Sequence, residues 1–354
     1  MSETTPKVEP VEGCPLCGGR AGASLLPVQA GIGVTRCRGC DLVHATGQYA
    51  AEFLSEDYYA GRAAGRAGRA EGAPAGREAA AARPGVARKR RSVALYDRLS
   101  HGRIGRPRPG ARALDIGCNT GLLLDVLREL GYHTEGIERS PAGEAALAAG
   151  HTVHALDIEA HELGLPRYDL ITLTHVLEHL RRPVAGLVWI RRHLAAGGIA
   201  VVEVPNWGDR MRPLWGRRYR PLELGDHVSF FERATLQNAA ERAGLTVLQM
   251  WSAPQAGTLV LPSLLTAMDL GLGLRASLRA RSNPGDLAAN DGVAAGVAAP
   301  RVVGGNLAGR LRRSLTPAVL AALDGLDPAL ERMFGPECPW GANLVAVLAP
   351  GRGS

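Results

Sequence analysis

The amino-acid sequence predicts an α/β protein with a Rossmann-like, doubly wound sheet. Three observations support this fold class: short apolar segments alternate with helix-length segments between residues 113 and 204, glycines end several helical segments, and polar residues or glycines follow the strands. The carboxyl ends of parallel strands meet at one edge of such a sheet, where ligands bind. The residues that follow predicted strands, and would share this edge, are Gly117, Glu138, Asp157, His175 and Asn206.

The strands are short and rich in apolar residues, and they are predicted at residues 113–116, 133–138, 153–156, 169–175, 199–204, 245–251 and 344–348. Helices are predicted at residues 86–99 and 121–130, from Pro141, from Pro183 to the Gly197-Gly198 pair, and at residues 233–243. Helix signals mark several of these boundaries. Gly131 follows the second helix, and Ser140 would cap the third, with Pro141 at its first position.

Four cysteines near the amino terminus form two C-x-x-C pairs. Cys14 and Cys17 make the first pair, and Cys37 and Cys40 make the second, with 19 residues between the pairs. Each pair can present two thiolates to one tetrahedral metal ion, and four sulfur ligands with no open position fit structural zinc. A disulfide and a redox dithiol are the alternatives. A disulfide is disfavoured because no export signal is expected, and a redox dithiol is disfavoured because the motif occurs twice.

A glycine-bracketed loop between a strand and a helix predicts a nucleoside-cofactor site. The loop follows Asp115 and runs from Gly117 to Gly121, and Glu138 stands 17 residues beyond Gly121 at the end of the next strand. The two glycines let the backbone pass close to a ligand, and Glu138 would accept hydrogen bonds from ribose hydroxyls. The spacing differs from the G-x-G-x-x-G fingerprint of dinucleotide sites.

These features resemble the class I S-adenosylmethionine (SAM)-dependent methyltransferases. The resemblance covers about residues 110–251 and the last strand, and the motifs that carry it are D-I-G-C-N-T-G, Glu138, Leu156-Asp157, Tyr168-Asp169-Leu-Ile and Gly197-Gly198-Ile-Ala-Val-Val. It implies a seven-stranded sheet with the last strand antiparallel. Where the family loop commonly has a glycine this chain has Asn119, a residue that tolerates left-handed backbone.

The resemblance also implies which residues bind the cofactor. The loop and Asp115 would meet the methionine end of SAM, Glu138 would hold the ribose, and Asp157 with Ile158 would contact the adenine. The predicted cofactor-binding residues are Asp115, Gly117, Cys118, Asn119, Thr120, Gly121, Glu138, Asp157, Ile158 and His175. For Asp157 a helix cap is the alternative. A four-cysteine module before this core is similar to the arrangement in deoxysugar C-methyltransferases, which carry a further carboxyl-terminal domain that is not recognised in this sequence.

The segment His175-Val-Leu-Glu178-His179 lies where the proton of a methyl acceptor would be handled. The methyl group of a sulfonium is already activated, so the protein must align an acceptor and remove its proton. A neutral imidazole suits this task, which makes His175 or His179 the predicted base and Glu178 an orienting group or substrate contact. The alternative is that these residues only close the cofactor pocket. His227 and Tyr59 are second-line candidates for substrate contact. The H-x-x-E-H pattern of zinc proteases is disfavoured because His175 ends a strand.

The net charge of +7 is concentrated in one segment. Residues 60–91 carry nine basic and two acidic residues, so the rest of the chain is electrically balanced. The Arg/Ala/Gly-rich composition predicts a solvated linker, with a phosphate-contacting patch as the alternative. Nucleic acid is therefore an unexpected partner. The polar amino terminus and the lack of a bilayer-length apolar run predict a soluble, cytoplasmic protein with no transmembrane segment.

Five regions are predicted: a four-cysteine zinc-binding module (1–59), the linker (60–91), a SAM-binding core (92–251), a cap or interaction insertion (252–341), and the final strand and tail (342–354). For the insertion, dimerisation and peripheral membrane contact are alternatives, and both monomer and homodimer stay open. The predicted function is methyl transfer to carbon or oxygen of a small-molecule acceptor, such as a sugar nucleotide, a quinone-like compound or another secondary metabolite. An RNA methyltransferase and a non-catalytic SAM-binding scaffold are the alternatives.

Overall fold

The computed structural model describes residues 7–50, 85–160, 164, 166–210, 212–215, 222–253, 333 and 341–351. Tyr59, most of the predicted linker and nearly all of the predicted insertion lie outside these residues. Among the helices that are described, none is long and apolar enough to cross a membrane.

The described strands are β1 (Val8–Pro10), β2 (Gly22–Gln29), β3 (Ile32–Cys37), β4 (Val43–Ala45), β5 (Gly47–Tyr49), β6 (Arg112–Ile116), β7 (His133–Ile137), β8 (Thr152–His154), β9 (Tyr168–Thr174), β10 (Leu194–Pro205), β11 (Ser229–Phe230), β12 (Leu245–Ala253) and β13 (Asn343–Pro350). The described α-helices are α1 (Val86–Leu99), α2 (Leu122–Glu129), α3 (Gly143–Ala148), α4 (Pro183–His193), α5 (Arg212–Trp215) and α6 (Arg233–Arg242). A 3₁₀ turn covers Leu177–His179.

The central sheet has seven strands in the order β12-β13-β10-β9-β6-β7-β8. Strands β6 to β10 pair in parallel, whereas β13 lies antiparallel between β10 and β12. The predicted fold class is therefore confirmed, including the antiparallel last strand. The parallel order brings the carboxyl ends of β6, β7, β9 and β10 to one edge of the sheet, where the polar residues identified in the sequence lie.

Successive residues of the central strands enter two different hydrophobic cores. In β9, Leu170 packs in a cluster with Leu123 of α2, whereas Ile171 packs in a cluster with Leu187 of α4 and Leu236 of α6. This follows from the two-residue period of a strand, and it explains why the central strands are apolar throughout. Each fully buried side chain of this size contributes about 1.5–3 kcal/mol to folding.

The boundaries of two predicted helices are wrong. The helix predicted to stop at Gly197-Gly198 ends at His193, because Leu194 is already extended and pairs with Tyr168 as the start of β10. Gly197 then lies in an irregular part of this strand, with φ 75°. The helix predicted from Pro141 begins at Gly143, after a turn in which the N–H of Gly143 donates to the carbonyl of Ser140.

One predicted strand differs from the structure at its end. Strand β8 ends at His154, so Asp157 lies three residues beyond the strand rather than at its end. Helix α1 has the predicted bounds, Val86–Leu99, and residues 86–91, which the predicted linker also includes, form its first turns. Val86 is buried, and Arg90 forms an ion pair with Glu129 of α2 at 3.0 Å. Residues 86–91 therefore pack against the core instead of forming a solvated linker.

The four-cysteine module and the core share a second sheet. Its strand order is β11-β4-β3-β2, and β11 belongs to the segment that follows the central strands. Antiparallel pairing joins Val43 to Phe230 and His44 to Ser229. The module is therefore attached to the core through backbone hydrogen bonds as well as through side chains. A separate pair, β1 with β5, completes the described part of the module.

Candidate active site

The glycine loop after β6 has the backbone that the sequence predicts. Gly117, Asn119 and Gly121 all have left-handed backbone, with φ values of 73°, 50° and 80°. Asparagine at the middle position thus takes the conformation that glycine takes more easily. The backbone N–H groups of Gly117 and Cys118 donate to the carbonyl of Ile137, which ties the loop to the end of β7.

Glu138 joins this loop to the segment after β7. Its Oε2 accepts a hydrogen bond from the backbone N–H of Asn119 at 2.9 Å, and its Oε1 accepts one from that of Ser140 at 2.8 Å. The side chain is partly exposed, so both oxygens keep acceptor capacity for a ligand. The carboxylate and the loop therefore face each other, as a nucleoside site requires.

Asp115 lies at the end of β6 and is buried. Its Oδ1 accepts a hydrogen bond from the hydroxyl of Thr172 at 2.7 Å. Burial raises the pKa of this carboxyl to about 6, and the hydroxyl of Thr172 opposes that rise. The ionised form is therefore costly unless a positive group binds nearby.

Three further residues of the predicted cofactor site have packing or turn roles in the structure. The thiol of Cys118 is buried, and Gly136 lies so close to it that a Cβ there would clash with the sulfur. Ile158 packs in the same core cluster as Leu187. Asp157 accepts a hydrogen bond from the backbone N–H of Glu159 at 2.8 Å, as in a turn, and one from Arg139 at 3.0 Å.

His175 begins the segment that was predicted to bind the methyl acceptor. It follows β9, whereas Glu138 follows β7, and β6 lies between these two strands. The backbone of His175 is left-handed, with φ 54°, and such strain in a residue with a Cβ is typical of functional sites. The side chain is 43% exposed, and its Nδ1 lies 3.3 Å from Oε1 of Glu178. Its Nε2 lies 3.5 Å from Glu203 and 3.3 Å from Asn343.

His179 is oriented by a different carboxylate. Its Nδ1 lies 2.8 Å from Oδ1 of Asp226, and its ring meets that of His227 edge to face, with centroids 4.6 Å apart. The two predicted histidines therefore have separate surroundings that share only Glu178. They lie on a strand end and a 3₁₀ turn, which differs from the single helix that H-x-x-E-H proteases use.

The carboxylates change the protonation expected for both histidines. Burial alone would lower the pKa of His175, but hydrogen bonds to Glu178 and Glu203 outweigh it and raise the pKa to about 10. Burial is likewise outweighed for His179, where the hydrogen bond to Asp226 raises the pKa to about 9. The charged imidazolium is thus the favoured form of both, in place of the neutral ring that the sequence suggested.

Several side chains at this site were not predicted from the sequence. Glu203 on β10 accepts a hydrogen bond from the hydroxyl of Tyr96 at 2.5 Å, and Asn343 on β13 donates to Glu203 at 2.6 Å. Asp226 was also missed. These residues lie far from His175 in the sequence. The sequence feature that could have indicated Glu203 is its position near the end of a predicted strand, three residues before Asn206.

The four-cysteine module contacts the same segment. The amide of Gln48 donates to the backbone carbonyls of His179 at 3.0 Å and Asp226 at 3.4 Å, and it accepts from Arg181 at 2.8 Å. In the module itself, the four sulfur atoms lie within 4.8 Å of one another. Cross-pair sulfurs are 3.5 Å apart, for Cys14 with Cys40 and for Cys17 with Cys37.

The sheet order and the acid-bridged glycine loop at the strand ends match the class I methyltransferase fold. In agreement, residues 86–250 match a family model that is described as a methyltransferase domain. This region of the chain therefore has the fold and the sequence pattern of a methyltransferase domain, and a four-cysteine module precedes it.

The chain is similar to proteins named ubiquinone biosynthesis O-methyltransferase. That of Aeromonas salmonicida is 30% identical over 155 residues, covering 40% of this chain and 65% of that protein. That of Cereibacter sphaeroides is 33% identical over 107 residues, covering 28% of this chain and 43% of that protein. The chain thus spans less than two thirds of the length of these relatives. Among solved structures, the magnesium protoporphyrin IX methyltransferase of Synechocystis matches with a TM-score of 0.36 and 17% identity, over 47% of this chain and 75% of that chain.

Proposed function

We propose that the protein is an enzyme that transfers the methyl group of SAM to an oxygen or carbon atom of a small molecule. The observation that carries this proposal is the position of Glu138, whose carboxylate is fixed by the backbone of the glycine loop and of Ser140. Each oxygen retains a lone pair for a ribose hydroxyl. Two charge-assisted hydrogen bonds of this kind contribute about 1.5–3 kcal/mol each.

The remaining predicted cofactor contacts would belong to the same site. Asp115 would gain a positive partner in the amino group of SAM, which would favour its ionised form. The loop from Gly117 to Gly121 would pass along the methionine part of the cofactor. Asp157 and the backbone of Ile158 would meet the adenine, since the side chain of Ile158 is engaged in the core.

On the acceptor side we assign the first contact to His175. Of the two predicted histidines it has the more exposed side chain, and Glu178 and Glu203 hold its ring from two directions. Its function would be to position the acceptor by hydrogen bonding as an imidazolium, with Glu178 as the orienting group, whereas accepting the acceptor's proton would require the neutral ring. His179 is the second candidate, with a ring already engaged by Asp226.

Oxygen is the favoured acceptor atom, because the relatives named above are O-methyltransferases of ubiquinone biosynthesis. Their names also favour a small, quinone-like acceptor over RNA. A sugar nucleotide remains the acceptor suggested by the four-cysteine module in front of the core.

We further propose that the four cysteines hold a structural zinc ion. Tetrahedral coordination with bonds of about 2.3 Å separates the sulfurs by about 3.8 Å, close to the observed cross-pair distances. Backbone N–H groups of Gly19 and Gly39 donate to the sulfurs of Cys17 and Cys37 at 3.4 Å, as expected for thiolates in tight turns. Reduced thiolates of this kind suit the cytoplasm. Metal analysis of the purified protein should find at least about one zinc per chain, and far less than one would contradict the assignment.

Binding of S-adenosylhomocysteine, measured by calorimetry, tests the cofactor site. Replacement of Glu138 by alanine should weaken binding by about two to four powers of ten, because the charge-assisted hydrogen bonds to the ribose are lost. Glu144→Ala is the matched control, since this exposed acid lies in the first turn of α3 nearby. Equal binding by the Glu138 and Glu144 variants, or no binding by the wild type, would refute the proposal.

A further inference from the structure

A second cluster of metal-ligand side chains lies beside His175. One ligand atom each from Glu178, His179 and His227 falls within 4.8 Å of the others. The first two belong to the turn after β9, and His227 precedes β11. A backbone hydrogen bond of 2.8 Å from the N–H of Val228 to the carbonyl of Glu178 holds these two segments together. The cluster therefore rests on a fixed backbone.

Glu178 carries an oxygen without a partner inside this cluster. The side chain is only 1% exposed, and Oε1 serves His175. Oε2 is buried and accepts no hydrogen bond from any residue in the described part of the chain. Since a buried carboxylate oxygen is costly unless it is hydrogen-bonded or bound to a metal, Oε2 indicates a ligand.

His179 has the orientation that metal-binding histidines usually show. Its Nδ1 is engaged by Asp226 at 2.8 Å, which leaves Nε2 on the side of Glu178, 4.0 Å from Oε1. A carboxylate that holds one ring nitrogen of a metal-binding histidine fixes the ring and raises its affinity for the metal. Gln48 holds the backbone carbonyls of both His179 and Asp226, which fixes this pair further.

We propose that Glu178, His179 and His227 bind one first-row divalent cation, of the manganese, iron, cobalt or zinc type. Two imidazoles and one carboxylate suit these ions, and such a triad leaves coordination positions open for water or a ligand oxygen. The side chain of His179 is 22% exposed, so the cluster is accessible from solvent. The site is chemically distinct from the four-cysteine site, which offers only sulfur. The proposal does not depend on methyl transfer, because metal binding is measured without turnover.

A titration of the full-length protein with Mn²⁺, followed by calorimetry, tests the site after the cysteines have been loaded with one equivalent of zinc and all further zinc has been removed. The wild type should bind about one equivalent. Glu178→Gln, which is nearly isosteric, and His227→Ala should each bind Mn²⁺ at least about tenfold more weakly, because each removes one ligand. Asp226→Asn should weaken binding by about 10–100-fold through the orientation of His179.

His133→Ala is the control, because this exposed histidine lies at the start of β7 and outside the cluster. It should bind Mn²⁺ as the wild type does. Circular dichroism and thermal unfolding would show that each variant is folded, and Glu178→Gln carries the test if His227→Ala does not fold. A wild type that binds no Mn²⁺ up to millimolar concentration, or a folded Glu178→Gln variant that binds as tightly as the wild type, overturns the proposal.

Discussion

Replacement of Gly117 by alanine tests the contact between the cofactor loop and the segment that carries His175. Gly117 has φ 73°, and a Cβ there would come closer to Cγ2 of Val176 than the 3.0 Å that real Cβ contacts keep. Left-handed backbone costs a residue with a Cβ about 1–2 kcal/mol, and overpacking against Val176 adds about 1–3 kcal/mol. We expect Gly117→Ala to lower the free energy of unfolding by about 2–5 kcal/mol.

Urea denaturation of further variants separates the backbone cost from the cost of the contact with Val176. Gly102 also has a left-handed backbone, φ 81°, but a Cβ there would meet nothing within 4 Å, so Gly102→Ala should show only the backbone cost of about 1–2 kcal/mol. In the Gly117→Ala background, Val176→Ala removes the clashing methyl group. The double variant should therefore be more stable than additivity of the single variants predicts, by about 1–3 kcal/mol. Calorimetry with S-adenosylhomocysteine should show the same partial recovery of binding.

The reasoning would be refuted by either of two results. A Gly117→Ala variant no less stable than Gly102→Ala would show that the loop moves freely away from Val176. Strict additivity of Gly117→Ala and Val176→Ala would show that the two residues do not interact. In both cases the cofactor loop and the segment that carries His175 would be independent. The inference that the two form one site would then lack this contact as evidence.

Three further expectations concern the loop, its buried acid and the zinc ion. Asn119→Gly should change stability by less than about 1 kcal/mol, because relief of left-handed strain offsets the lost hydrogen bond from the Thr120 N–H; a tenfold loss of S-adenosylhomocysteine affinity would contradict this. The pKa of Asp115 is raised from 3.8 to about 6, so this group stabilises the fold below pH 3.8 and loses that contribution as the pH rises through 6. Asp115→Asn, which cannot ionise, should therefore gain up to about 3 kcal/mol relative to wild type between pH 4 and pH 8 in urea titrations without cofactor, and a constant difference would exclude the raised pKa. Removal of zinc by a chelator should reduce acceptor turnover more than S-adenosylhomocysteine binding, since β4 and Gln48 support the acceptor side; equal losses would contradict this arrangement.

The geometry of the glycine loop and of Glu138 could be predicted from the sequence because these parts are close together in the chain. Asp115, the glycine loop and Glu138 lie within one strand-helix-strand unit, and local backbone preferences determine their geometry. The left-handed backbone of Asn119 is a consequence of this kind, because asparagine differs from most residues in its own conformational energy. The cysteine cluster was predictable for a similar reason, since each pair is held by one tight turn.

The acceptor side could not be predicted to the same extent, because its parts come from distant segments. His175 meets Glu203 from β10 and Asn343 from β13, and His179 meets Asp226 after a gap of 47 residues. The neutral imidazole expected at His175 rested on the ordinary pKa of histidine, which applies only without nearby carboxylates. The fold brings Glu178 and Glu203 to the ring of His175, and the contact with Glu203 cannot be predicted from a local sequence pattern.

The contact between the module and the core would link the proposed zinc site to the proposed acceptor site. The side chain of Gln48 is 5% exposed, and its amide bonds the carbonyls of His179 and Asp226 as well as the guanidinium of Arg181. If the module unfolded, those buried groups would lose their partner, at a cost of about 1–3 kcal/mol for each group that water could not reach. Any free energy that zinc contributes to the folding of the module therefore also favours the observed conformation of the acceptor segment. In this arrangement the proposed zinc ion would stabilise the geometry of residues that it does not contact.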